Sequence, residues 1–144
     1  MRHVERSALM PYSAEQMFNV VNDVASYPKF LPWCIASEVL ESTSRVMVAR
    51  LELAKGGMRQ SFTTRNDLEP PKHMKMSLVD GPFSLLKGEW HFKQLGEDGC
   101  KIEMSLSFDF NNRLMNVTLG KVFGVAADKM VDAFCERADV LYGG

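Results

Sequence analysis

The chain has 144 residues, 46% of them hydrophobic, and 17 Lys and Arg against 18 Asp and Glu leave a net charge of −1. This is enough chain for one globular domain, 1–144, with a substantial core, and a near-neutral balance excludes a global field drawing it to nucleic acid or membrane. Its three cysteines, Cys34, Cys100 and Cys135, are widely spaced and form no CxxC pair, which argues against disulfides and structural zinc. The opening MRHVERSALM lacks the apolar core of a secretory signal, and no apolar run approaches a membrane span, so a cytoplasmic protein is expected.

His3–Met10 reads as a first strand ending at Pro11. Ser13 then serves as a helix N-cap, and Gln16, three residues on, completes a capping box. Met17, Phe18, Val20, Val21 and Val24 give that helix a broad apolar side. Tyr27, Phe30 and Trp33 follow, interleaved with Pro28 and Pro32. A residue before proline is driven out of helix, so short turns of fixed shape are expected here. Such an apolar segment suits a lid over a cavity or one edge of a binding surface.

From Ile35 to Phe110 the pattern alternates. Ile35–Glu41 reads as a strand, and Arg45–Ala54 sets Met47, Ala49, Leu51 and Leu53 on one face against Val46, Val48, Arg50 and Glu52. Gly56-Gly57 marks a hairpin. Met58–Leu68 returns with Met58, Gln60, Phe62 and Thr64 on one side and Arg59, Ser61, Thr63 and Arg65 on the other. Beyond Pro70-Pro71, Met74, Met76 and Leu78 alternate with His73, Lys75 and Ser77 up to a turn at Asp80-Gly81-Pro82. Leu86, Gly88, Trp90 and Phe92 then oppose Lys87, Glu89, His91 and Lys93. After Glu97-Asp98-Gly99, Ile102, Met104, Leu106, Phe108 and Phe110 oppose Lys101, Glu103, Ser105, Ser107 and Asp109. Alternation of this kind belongs to antiparallel strands with one buried and one wet face.

From Asn112 the period becomes helical, with Leu119, Val122, Phe123, Ala126, Met130, Phe134, Ala138 and Leu141 at three- and four-residue steps. A helix of about thirty residues runs about 45 Å, enough to cross a sheet. The economical packing is an α+β helix-grip: a curved antiparallel sheet of about seven strands around a long C-terminal helix, with a short helix and lid after strand 1. Gly120 and Gly124 each cost about 1 kcal/mol in that helix relative to alanine. They mark either a close approach of helix and strand or a cavity wall. Met58, Met76, Met104 and Met130 suit an adaptable apolar pocket, although a methionine-filled core would read the same way.

Catalytic chemistry is not announced. His3, His73 and His91 have no metal-ligand partner at useful spacing, so no metal site is expected. There is no nucleophile elbow, phosphate-cradling loop or dinucleotide fingerprint. The inward polar residues Gln60 and Thr64, with Asp80 at a turn, make a poor acid–base set. No catalytic residue is assigned and a non-enzymatic domain is expected. Locally, Arg50, Lys55, Arg59 and Arg65 fall on the solvent side of one hairpin, where Lys72 and Lys75 extend the face. This is either an ordinary solvated face or a patch for phosphates of RNA or of anionic lipid headgroups. Without interleaved aromatics, any RNA contact would be to backbone and shape.

The segments PYSAEQMFNVVNDVASYPKFLPWC (11–34), FTTRNDL (62–68), VDGPF (79–83), LKGEWHF (86–92) and FDFNNRL (108–114) closely resemble the coenzyme Q-binding START-domain family, of polyketide cyclase/START-like type. The resemblance covers essentially the whole chain and implies the helix-grip fold. It also implies two activities. Eukaryotic members are taken to bind ubiquinone and support respiration, whereas a bacterial branch is linked to binding the large ribosomal subunit and blocking its association with the small one. The expected function is non-enzymatic binding of ubiquinone or a related isoprenoid quinone, as a ligand rather than a resident cofactor. The expected cavity is formed by Tyr27, Phe30 and Trp33 of the lid, Gln60, Phe62, Met76, Leu78, Trp90, Phe92, Leu106 and Phe108 of the sheet, and Phe123, Met130 and Phe134 of the helix. Tyr27 and Gln60 are the candidate hydrogen-bond donors to a quinone ring. The alternative is a toxin-like translation inhibitor docking on the large ribosomal subunit through Arg50, Lys55, Arg59 and Arg65. Transient contact with a membrane surface is a further expected partnership. An aromatic-cyclase-like enzyme, using Asp80, rests on shared fold alone.

Overall fold

The computed structural model describes residues 2–55 and 57–143, with the side chains of all of these except Lys55 and Met58. Strand β1 (Arg2–Met10) leads into helix α1 (Ala14–Asn22). At the start of α1, the Gln16 backbone N–H donates to Ser13 Oγ at 3.1 Å, and the Ser13 N–H donates to Gln16 Oε1 at 2.9 Å. The expected capping box thus fixes where the helix begins, and Met17, Phe18, Val20 and Val21 turn its apolar side into the core.

The lid departs from expectation. A 3-10 turn at Val24–Ser26 is followed by a single α-helical turn, α2 (Tyr27–Phe30). Pro28 is tolerated because it occupies the first turn, where its missing N–H has no intrahelical acceptor to lose.

Six strands follow: β2 (Cys34–Ser42), β3 (Val46–Lys55), β4 (Met58–Glu69), β5 (His73–Asp80), β6 (Phe83–Leu95) and β7 (Gly99–Phe110). They form one seven-stranded antiparallel sheet in the order β1-β7-β6-β5-β4-β3-β2. The long helix α3 (Arg113–Tyr142) starts where the Asn112 side chain accepts from the Leu114 and Met115 N–H groups, and packs against β1 and β7. This is the helix-grip arrangement that the alternation and the long helical tract predict. No helix among the described residues is long and apolar enough to cross a membrane.

Three glycines show why side chains are absent at particular points. Gly81 has φ of 151°, and a Cβ there would stand 2.7 Å from Phe62 Cβ, so the β5–β6 turn presses directly on β4. Gly120 and Gly124 do mark a close approach, but of a side chain rather than a strand backbone. The Arg2 guanidinium lies against both, 3.0 Å from where a Gly120 Cβ would be. The outer face of the sheet is also drier than alternation suggests. Ser107 is buried and bonded to His3 Nδ1 at 2.7 Å, and Thr63 is buried opposite Asp80.

Candidate functional site

Between the sheet and α3 lies an inner cavity of about 80 Å³. Its walls come from every layer of the fold. Val21, Val24, Tyr27 and Trp33 close it from the α1–lid side, Ala49, Leu51 and Phe62 from β3 and β4, and Met76, Trp90, Met104 and Leu106 from β5 to β7. Phe123, Ala126, Ala127, Met130 and Phe134 supply the α3 wall. Gly88 shapes this space, because a Cβ there would meet Met76 Cε and the Ser105 carbonyl at 3.1 Å and Leu106 Cδ1 at 3.2 Å. A smaller cavity of about 40 Å³ lies toward the start of α3, lined by Gln60, Phe83, Phe110, Leu119 and Val122. Trp33, Leu53, Phe62, Phe123 and Ala126 touch both spaces. The Phe62 and Phe123 rings, 6.1 Å apart and nearly perpendicular, stand in that shared wall.

Of the residues expected to meet a ligand, Tyr27, Trp33, Phe62, Met76, Trp90, Leu106, Phe123, Met130 and Phe134 line the inner cavity, and Gln60 lines the smaller one. Four sit elsewhere. Phe92 packs edge-on against Phe18 of α1, with ring centroids 5.4 Å apart, and Phe108 against Phe123 at 4.6 Å. Leu78 supports the Gly81 turn. Phe30 caps the lid, its ring between Phe134 at 5.6 Å and the Arg137 guanidinium at 5.2 Å. Alternation puts Leu78, Phe92 and Phe108 on the apolar side but says nothing of where along the sheet the helix leaves a gap.

The polar chemistry differs more. Tyr27 offers the cavity only its ring. Its hydroxyl donates to the Val21 carbonyl, and burial pushes the phenol well above its ordinary value. Asp80 is exposed and lines neither cavity. The inner cavity instead holds Thr64 and Asn66. Asn66 Oδ1 is buried with no hydrogen-bond partner among the described residues. The clue lay in the sequence, because Asn66 continues the inward series Gln60, Phe62, Thr64. Burial also pushes the Cys34 and Cys135 thiols up to about 11, leaving neither as a thiolate near neutral pH.

On the outer face, Arg50, Arg59 and Arg65 are exposed together, but acids accompany them. Arg59 Nε lies 3.4 Å from Glu52 Oε1, Arg65 Nε 3.2 Å from Asp67 Oδ1, and Arg50 is directly opposite Glu38 of β2. Arg50 also donates to Ser61 Oγ at 3.3 Å. The face is therefore mixed rather than purely basic, since β2 and the end of β4 contribute acids that a count over the hairpin omits. The fourth expected member, Lys55, has a side chain outside the described residues.

The histidines require a correction. Sheet pairing brings His73 opposite His91, and both Nε2 atoms lie near Glu89 Oε2, at 3.1 and 2.9 Å. These three residues present potential ligand atoms within 4.8 Å of one another. Linear spacing missed the group because its members meet across strands. The hydrogen bond from His73 is the main reason the Glu89 carboxyl is held below its usual value.

Residues 10–135 match the family described as polyketide cyclase/dehydrase and lipid transport. The chain is 54% identical over 141 residues to the ribosome association toxin RatA of Pseudomonas aeruginosa, covering 98% of each protein. It is 30% identical over 140 residues to the mitochondrial coenzyme Q-binding protein of Drosophila melanogaster, covering 94% of this chain and 58% of that one. In fold it matches the Zhui aromatase/cyclase of Streptomyces sp. R1128 with a TM-score of 0.80 at 22% identity, over 99% of this chain and 98% of that one. At that identity the likeness is one of fold. A matched stretch spanning most of the sheet and helix, together with these relatives, places the chain in the polyketide cyclase/dehydrase and lipid transport family, with its START-like helix-grip fold.

Proposed function

We propose that the chain is a non-enzymatic carrier of a lipophilic ligand, an isoprenoid quinone such as ubiquinone, in the cytoplasm. The observation that carries this reading is a cavity walled largely by apolar side chains from lid, sheet and helix, with the buried Asn66 Oδ1 lacking a hydrogen-bond partner among the described residues. A buried polar group without a partner costs about 1–3 kcal/mol, and a ligand's polar ring substituent meeting Asn66 removes that cost. By rotating about its last side-chain bond the amide can present N–H to a quinone carbonyl or its oxygen to a hydroxyl. The open space is too small for a polyisoprenoid chain. Uptake therefore requires α2 and Trp33 to swing outward and Met76, Met104 and Met130 to repack, which flexible thioethers allow. The tail would then leave through the smaller cavity past Phe62 and Phe123, and loading would occur in transient contact with a membrane surface. This is the activity that would support respiration. Native mass spectrometry with lipid extraction, on protein purified gently from its own host, should find one isoprenoid quinone per chain. Empty protein whose Trp33 and Trp90 fluorescence ignores added ubiquinone would overturn the proposal.

A second reading, binding to the large ribosomal subunit with inhibition of subunit association, is favoured by the name of the Pseudomonas relative. Arg50, Arg59, Arg65 and Lys55 are its candidate contacts. Each phosphate contact releases counterions, so binding should weaken steeply with salt. The double variant Arg50→Glu, Arg65→Glu should lose at least tenfold in affinity for isolated large subunits and show a shallower salt slope. Unchanged binding in cosedimentation would leave this face as ordinary solvated surface.

A further inference from the structure

We propose that His73, Glu89 and His91 form a binding site for one divalent transition-metal ion of the zinc type on the outer face of the sheet. His73 and His91 are directly paired across β5 and β6, their rings 4.7 Å apart and inclined at 32°. Their Nε2 atoms converge on one oxygen of Glu89, at 3.1 and 2.9 Å. Tetrahedral zinc ligands about 2.0–2.1 Å from the metal stand about 3.3 Å from each other, so the two histidine–carboxylate separations need only a slight spreading to admit an ion. Two imidazoles and one carboxylate favour zinc and its neighbours over magnesium or calcium, which take oxygen ligands. Three protein ligands leave a fourth position open.

The surroundings support the same assignment. Glu69 Oε1 lies 3.8 Å from His73 Nδ1, where a carboxylate would orient an imidazole that ligates through its other nitrogen. Lys75 stands opposite Glu89, and Glu103 of β7 stands opposite His91. The site also reaches the interior. Met74 follows His73, Trp90 lies between Glu89 and His91, and these two residues are register partners lining the inner cavity. An ion on the outside therefore pins the part of the sheet that forms the cavity wall.

The test is calorimetric titration of untagged, metal-free protein with zinc chloride at about pH 7.5, where free imidazole is mostly neutral. One zinc per chain is expected, with a change in tryptophan fluorescence. His73→Gln and His91→Gln should each weaken binding at least tenfold, and Glu69→Gln should weaken it by about 10-fold or more through the outer shell. Because metal ligands must be deprotonated, binding should weaken as the pH falls. All three residues are on the sheet surface, and circular dichroism will report whether each variant keeps the fold. Absence of stoichiometric binding overturns the proposal. So does undiminished binding in the folded double variant His73→Gln, His91→Gln, which would place zinc elsewhere, for example at His3 and Glu5, 3.1 Å apart.

Discussion

Phe134→Ala should lower the unfolding free energy by about 3–5 kcal/mol. Phe134 is completely buried on the inner side of α3. Its ring meets Tyr27 at 5.4 Å, Phe30 at 5.6 Å and Trp90 at 5.4 Å, so a single side chain ties lid, helix and sheet together. Truncation loses the transfer energy of the ring, leaves a void, and removes edge-to-face pairs each contributing about 0.5–1.5 kcal/mol. The void would adjoin the existing cavity, which limits how far the walls can collapse to recover the loss. Guanidinium unfolding followed by circular dichroism measures the change. A loss below about 1 kcal/mol would mean that the lid and helix are anchored elsewhere.

Asn66→Leu should separate stability from binding. Leucine has nearly the shape of asparagine and removes an unpartnered amide oxygen from an apolar wall. The folded protein should therefore be as stable as the original or gain up to about 1 kcal/mol. Affinity for ubiquinone should nevertheless fall about tenfold, the equivalent of one lost hydrogen bond of about 1.4 kcal/mol. Denaturation and fluorescence titration of the same preparation read both quantities. A variant that is destabilised yet binds normally would assign Asn66 to the core and the ligand's orientation to another group.

What was legible in the sequence was whatever repeats with a short period or is fixed within one turn. Ser13 and Gln16 form their capping box because both partners are local. The inward runs of β3 to β7 follow from the pleat, and the α3 stripe from 3.6 residues per turn. Outcomes decided by three-dimensional neighbours escaped. Phe92 and Phe108 are on the apolar face but under α1 and α3, not beside the cavity. The Tyr27 hydroxyl was committed to Val21 by the local lid geometry. Around Arg50 the linear pattern offers only Glu52 as an opposing acid, and strand pairing adds Glu38 of β2 directly opposite. His73 and His91 became neighbours only through strand register.

The order of the sheet has a consequence for synthesis. β1 is made first, yet it lies at the sheet edge and pairs there with β7, with Arg2 opposite Phe108 and Met10 opposite Cys100. Arg6 is further held by Asp128 of α3. At about 5–20 residues per second, β1 would wait roughly 5–20 s for its neighbour to be translated. Until then β2 to β6 can join as successive hairpins, while the edge that β7 will cover remains unpaired. Such an edge recruits other strands, so chains interrupted before β7 should aggregate even though most of their sheet can already form.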